Sequence, residues 1–451
     1  MTEELVDTGT GAAAGAGTAD GVISLRRIVA LALPALVVLA AEPIYVLVDT
    51  AVVGHLGRIP LAGLAVGGGV LALAAWLGNV LAYGTTGRSA RQFGAGDRSA
   101  AVAEGVQASW LAVIGGVTMI VLAQVFAGPL TRTLAGSGEV ATAAAGWLRI
   151  AAFGVPGLLL AMAGNGWLRG VQDTRRPVRY VLAANVLSAV LCPVLVYPLG
   201  LGLAGSAVAN VSAQLLGGAL FVRALVRERV SLAPRPAVLR RQLVVSRDLI
   251  VRGGAFQLCF LSATVVVARF SSAALGAHQI ALQLFFFCAL VLDAVAIAAQ
   301  SLVGATLGAG DVARARAAAV RIARLGGVCG VAIAVVVAAG AFVLPAVFSP
   351  DPQVRAQALV AWPWFVAMQP LGGVVFALDG VFIGAGDVRY LRDITVLGAL
   401  GFFLPAIWLA YWLRLGLGGV WAGLTLFIVV RLVALLLRLR GTAWAVTGAV
   451  R

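Results

Sequence analysis

Two carboxylic acids, Glu42 and Asp49, stand inside the apolar run PALVVLAAEPIYVLVDTAVVGHLG at residues 34–57. An ionisable side chain in such a run costs about 2.5–3.5 kcal/mol on insertion scales and marks a function by default. Spaced seven residues apart, the two acids share one helical face, about 10 Å apart along the axis. Pro43 removes a backbone hydrogen bond between them and is expected to bend the helix there. Carboxylates in apolar surroundings take up protons or cations, so the chemistry expected is ion coupling rather than bond making. Asn165, Asn185, Asn210, Asp293 and Asp379 lie in other apolar runs and complete the set of candidates. The asparagines have an alternative role, as hydrogen bonds between helices. His278 reads as a satisfied interfacial residue, and Arg149 and Arg431 as side chains able to snorkel.

The elements that position these groups follow from composition. Of 451 residues, 61% are apolar and only 11% charged. A soluble chain carries about 25% charged residues, so this is the composition of an integral membrane protein. Twelve apolar runs are long enough to cross a bilayer, which takes about 20 residues each. They imply an all-α fold, with residues 1–24 a disordered cytoplasmic tail, 25–226 and 248–440 two six-helix bundles, 227–247 a basic linker, and 441–451 a cytoplasmic tail.

The net charge of +15 does not point to nucleic acid. All 33 basic residues are Arg, gathered mostly in the short gaps between apolar runs. With the N-terminus placed in the cytoplasm, 26 fall inside and five outside. That ratio fits the positive-inside rule and puts both termini on the cytoplasmic side of a cell membrane. Cys192, Cys259, Cys288 and Cys329 form no CxxC pair, so neither a disulfide framework nor a metal site is suggested. The GAGD segments are turns between spans, since no Lys-Ser/Thr follows them to make a phosphate-binding loop. No cofactor is called for.

An internal repeat is the second strong signal. GAGD at 94–97 recurs at 308–311, an offset of 214 residues that also aligns Gly170 and Asp173 with Gly384 and Asp387. The same register carries GLAGSAVA (202–209) onto GLGGVWAG (416–423) and LVDTAVV (47–53) onto LSATVVV (261–267). Two six-span halves of equal orientation must be related by a two-fold axis along the membrane normal, as in transporters with parallel repeats. The halves differ where charge is concerned: Asp49 aligns with Ala263 and Glu42 with Phe256, whereas Asn79 and Asn165 align with Asp293 and Asp379. This asymmetry suits a cation or proton site confined to one half.

LVDTAVVGHLG at 47–57, followed by LAGLAVG, resembles the first-span signature of the multidrug and toxic compound extrusion (MATE) family. AAQSLVGATLGAGD (298–311) and LDGVFIGAGD (378–387) resemble its DinF-like branch. The resemblance runs from about residue 24 to 440 and implies a cation-coupled antiporter that exports small organic, often cationic or amphipathic, compounds as a monomer. In the family an Asp on the first span is the protonation site, and Asp49 matches it. Asn185 matches the Asn of a sodium cluster on the fifth span, but Ala189 replaces its Asp, which favours H⁺ over Na⁺. Asp293 and Asp379 remain an alternative coupling site, because some branches use acids of the C-terminal half.

Three other readings compete. A lipid-linked oligosaccharide flippase shares the architecture, but the sparseness of membrane-embedded Arg expected from the sequence argues against a pyrophosphate-binding cavity. A major-facilitator exporter would carry a G-x-x-x-D-R-x-G-R-type loop after its second span, where this chain has RSARQFGAGDRSAA. A non-transporting scaffold or receptor leaves the asymmetric intramembrane acids without a purpose.

Overall fold

Long apolar segments can satisfy their backbone in lipid only by forming helices or closing a barrel. A computed structural model describes residues 23–449, and every regular element in it is helical. Twelve helices are long and apolar enough to span: α1 Leu25–Gly54, α2 Arg58–Gly94, α3 Arg98–Leu134, α4 Gly138–Gly170, α5 Arg175–Val196 and α6 Gly202–Arg227 in the first half. The second half holds α7 Pro236–Ala268, α8 Ser272–Gly308, α9 Val312–Ala339, α10 Pro352–Gly384, α11 Val388–Trp412 and α12 Gly416–Arg440. Large apolar side chains such as Phe287, Val336 and Trp412 point outward, as a lipid-facing surface requires.

The repeat visible in the sequence is built into the turns. Gly96 and Gly310 take φ of 87° and 84°, a conformation that glycine adopts at no steric cost. The aspartates that follow cap the next helices, Asp97 accepting from the Ala100 N–H at 2.7 Å and Asp311 from the Arg314 N–H at 2.8 Å. The Ala100 and Ser99 hydrogen bonds hold the Asp97 carboxyl below the usual carboxylate range. The GAGD segments are thus helix stops and starts, as their composition implied.

The halves cross at α2 and α8. A Cβ on Gly94 would stand 1.9 Å from the Ala305 carbonyl oxygen, and one on Gly308 would stand 2.0 Å from that of Arg91. These are the same contact twice, since Gly94 aligns with Gly308 and Arg91 with Ala305; the pseudo-two-fold axis passes between them. Further bridges join the halves on the same arginine-rich side. Arg88 holds Glu104 at 2.7 and 2.8 Å, and the Gln242 amide of α7 donates to Glu104 at 2.9 Å. Arg91 donates to the Ala385 carbonyl at 3.1 Å.

The start of the second half differs from the sequence reading. The linker is short, because α7 begins at Pro236 rather than near 248. Pro supplies the fixed φ of a first helical turn, and the apolar residues of 236–247 can continue the helix. The connecting residues are stapled to α3 by Trp110, which donates to the Leu232 carbonyl at 2.9 Å, and by Gln107, which donates to that of Ala233 at 3.0 Å. The segment after Arg440, expected as a cytoplasmic tail, packs against the bundle among the described residues. Trp444 is fully buried, edge-on to Phe382, while Arg91 donates to the Val446 carbonyl at 2.8 Å and Gly448 donates to that of Leu307 at 3.1 Å. This strap therefore crosses the seam between the halves. The tail expected at 1–24 lies, but for Ile23 and Ser24, outside the described residues.

Candidate functional site

Among the described residues, a cavity of about 380 Å³ lies in the first half and one of about 390 Å³ in the second, the latter also lined by Tyr83 of the first half. Leu61 and Leu64, in the first turns of α2, line the first cavity, so it reaches toward the face opposite the arginine-rich seam.

The first cavity gathers Glu42, Asp49, Asn165, Asn185 and Asn210 from four helices, with Tyr45, Met162 and Trp147 among the walls. Five residues spread over 169 positions of sequence thus meet in one space. Asp49 is only 5% exposed. Its Oδ1 accepts from Ser206 Oγ at 2.7 Å and from Cys192 Sγ at 3.2 Å. These neutral donors steady the carboxylate without neutralising it, because no cation pairs with Asp49 among the described residues. Asn210 donates to Tyr45 Oη at 2.8 Å, which places a second hydrogen-bonded pair one turn from Asp49. Glu42 is exposed to the cavity. Pro43 lies within a continuous α1, as does Pro34, so the helix runs on through both prolines.

The second cavity contains Asp293 and Asp379, and here one of the two acids, Asp379, is ion-paired. Asp379 receives Arg431 at 2.7 and 2.8 Å and also Arg252, so one carboxylate lies between two guanidinium groups. Both arginines lie over the Phe256 ring, at 5.3 Å for Arg252 and 4.8 Å for Arg431. Tyr83 of α2 donates to Asp293 Oδ2 at 2.6 Å across the seam. Phe260, Phe285, Phe376 and Trp421 supply apolar walls. Asn165 and Asp379, which the repeat aligns, thus occupy equivalent places in equivalent cavities; the first half keeps an amide where the second places a paired charge.

Several sequence readings are corrected by this geometry. Arg431 is 1% exposed and does not snorkel; its partner Asp379 holds it inside. Arg252, counted among loop arginines, lies in α7 and lines the second cavity. Membrane-embedded Arg is therefore not sparse, and the argument built on that sparseness against a phosphate-handling cavity falls. His278 is fully buried and faces Thr264 at 3.4 Å, in the core rather than at an interface. Ser206, Cys192, Tyr45 and Tyr83 escaped the sequence reading. Only Ser206 carried a signal, as the single hydroxyl in the repeated GLAGSAVA motif.

Comparison with known proteins settles the kinship. The MatE family description matches residues 34–194 and 250–412, one segment in each half. The chain belongs to the MatE family. Its relatives include Protein DETOXIFICATION 44, chloroplastic, of Arabidopsis thaliana, 33% identical over 90% of this chain and 81% of the relative. DNA damage-inducible protein F of Escherichia coli is 31% identical over 89% of each chain. A solved structure of MATE in the bent conformation superposes with a TM-score of 0.85 at 21% identity, covering 93% of this chain and 96% of that one. The MATE kinship and the DinF-like character expected from LVDTAVVGHLG and LDGVFIGAGD are thus established. MatE proteins are multidrug efflux transporters of many membrane spans, acting on small compounds. The flippase alternative finds no support among these relatives.

Proposed function

We propose that this MatE protein is a proton-coupled antiporter that exports organic, often cationic or amphipathic, compounds, with Asp49 as the coupling group. The observation that carries the reading is the setting of Asp49: a buried carboxylate without a cationic partner among the described residues, opening onto a 380 Å³ cavity. A proton on Asp49 removes a buried charge, which costs several kcal/mol to hold in a low-dielectric site. Neutralisation lets α1 repack against Ser206 of α6 and Cys192 of α5 and narrows the cavity shared with Asn165, Asn185 and Asn210. Sodium is disfavoured because Ala189 offers no oxygen beside Asn185. The arginine-rich face is cytoplasmic by the distribution of charge in the loops, which makes the state described here closed to the cytoplasm. The protein works as a monomer in the cell membrane, without a cofactor.

The energetics constrain the stoichiometry. Proton entry gains about 2.3 kcal/mol at 100 mV and about 1.4 kcal/mol per pH unit. A neutral guest receives both terms, but for a monovalent cation leaving 1:1 the voltage terms cancel and about tenfold accumulation per pH unit remains. Counting protons per exported cation under a clamped potential tests this. Cation efflux that a pH gradient cannot drive and a sodium gradient can would move the coupling site to Asp293 and Asp379.

A further inference from the structure

The second cavity contains a contact that only one copy of the repeat can make. Tyr83 of the first half donates to Asp293 of the second at 2.6 Å. The offset of 214 residues aligns Asp293 with Asn79, which has no charge to offer, and Tyr83 with Ile297, which has no hydroxyl. Arg169, at the end of α4, is only 6% exposed and lies within electrostatic reach of both Tyr83 and Asp293. Its own carbonyl accepts from Ser301 Oγ of α8 at 2.6 Å, which fixes the end of α4 against the helix bearing Asp293. From the second half, Arg252 and Asp379 face the same carboxylate. Arg252 and Asp379 are already joined, so Asp293 depends on the other half for its nearest hydrogen-bond donor.

We infer that Tyr83, with Arg169 behind it, is a positioning device that displaces a cationic guest from Asp293 when the arginine-rich seam closes. The inference rests on the antiport reading above. Tyr83 and Arg169 belong to the first half and leave with it when the seam opens. Asp293 is then left in an aromatic-walled cavity with an unfilled acceptor, the arrangement that binds an organic ammonium or phosphonium ion through charge and ring faces. As the seam closes, Tyr83 returns to Oδ2 and Arg169 returns as a tethered competing cation. The guest therefore binds tightly when the seam is open and weakly when it is closed, which is the difference in affinity that export requires.

The test uses the full chain and tetraphenylphosphonium as the probe cation. Equilibrium binding to the purified protein is compared for the unmodified chain, Tyr83→Phe, Asp293→Asn and the double variant, alongside kcat and KM for its efflux from proteoliposomes. A hydrogen bond to a charged group is the interaction removed, so Tyr83→Phe is expected to bind the probe at least about tenfold more tightly. Its KM and kcat should fall together, because release becomes slow, and the gain should vanish in the double variant. Unchanged affinity in Tyr83→Phe, or a gain that persists without Asp293, overturns the inference whether or not the protein transports. Failure of efflux in the unmodified chain under both proton and sodium gradients would instead overturn the antiport reading and leave the binding result to decide this one. Should Tyr83→Phe not fold, Arg169→Gln removes the competing charge and keeps the hydrogen bond; tighter binding supports the inference and unchanged binding overturns it.

Discussion

Closure of the arginine-rich seam depends on glycine at two related positions, and replacing one should shift the conformational balance. A methyl group on Gly94 would stand 1.9 Å from the Ala305 oxygen, whereas ordinary contact begins at about 3.4 Å. The neighbour is backbone, in the last turn of α8, so the shortfall of about 1.5 Å is relieved by moving α2 away from α8. Overpacking of this kind costs about 1–3 kcal/mol. Only the closed arrangement carries the cost, since the contact is absent once the halves part. Gly94→Ala should therefore shift the balance toward the seam-open state by about five- to 150-fold. The assay is alkylation of Ser301→Cys, buried in the seam, in a chain whose Cys192, Cys259, Cys288 and Cys329 have been replaced. Faster labelling in the Gly94→Ala background, reproduced by Gly308→Ala, is the expected result. Equal labelling rates, with only a general loss of thermal stability, would refute the idea that these glycines serve the seam.

Other perturbations follow from single contacts. Asp379→Asn leaves Arg252 and Arg431 buried without their counter-ion and should destabilise by about 3–5 kcal/mol, read as a lowered melting temperature that Arg431→Met partly restores in combination. Glu228, at the end of α6, is raised by burial but held on balance below the usual carboxylate range by Arg98 and Arg176, at 3.0 and 3.1 Å. Its contribution is complete above the ordinary glutamate value and is lost as pH falls through the depressed one, so Glu228→Gln should lose the part of the acid-side fall in melting temperature that this group causes. Trp444→Ala empties a fully buried site and should cost about 3–5 kcal/mol, with faster labelling at Ser301→Cys if the strap holds the seam.

The twelve spans and their pairing in two halves were legible because both rest on one-dimensional signals, apolar run length and a constant offset of 214 residues. Glu42 and Asp49 stood out for the same reason, as charges within an uninterrupted apolar run. Partners were not legible. Arg431 and Asp379 are 52 residues apart, and nothing in either neighbourhood says that one neutralises the other. A lone Arg near a helix end reads equally as a snorkelling side chain, and only the placement of α10 against α12 decides. The packing of the segment after Arg440 was not legible for a similar reason: it is short and weakly polar, and the burial of Trp444 and Ala445 depends on a groove formed by α2, α8 and α10. Tyr83 had no signal, because an aromatic residue in an apolar span is ordinarily packing.

The central claim is that Asp49 couples proton entry to export. The most direct test is efflux of a fluorescent organic cation from proteoliposomes under an imposed pH gradient without sodium, comparing the unmodified chain with Asp49→Asn. The account predicts efflux by the first and none by the second, with both proteins folded and equally incorporated. Efflux that survives Asp49→Asn, or that appears only with sodium, would contradict it.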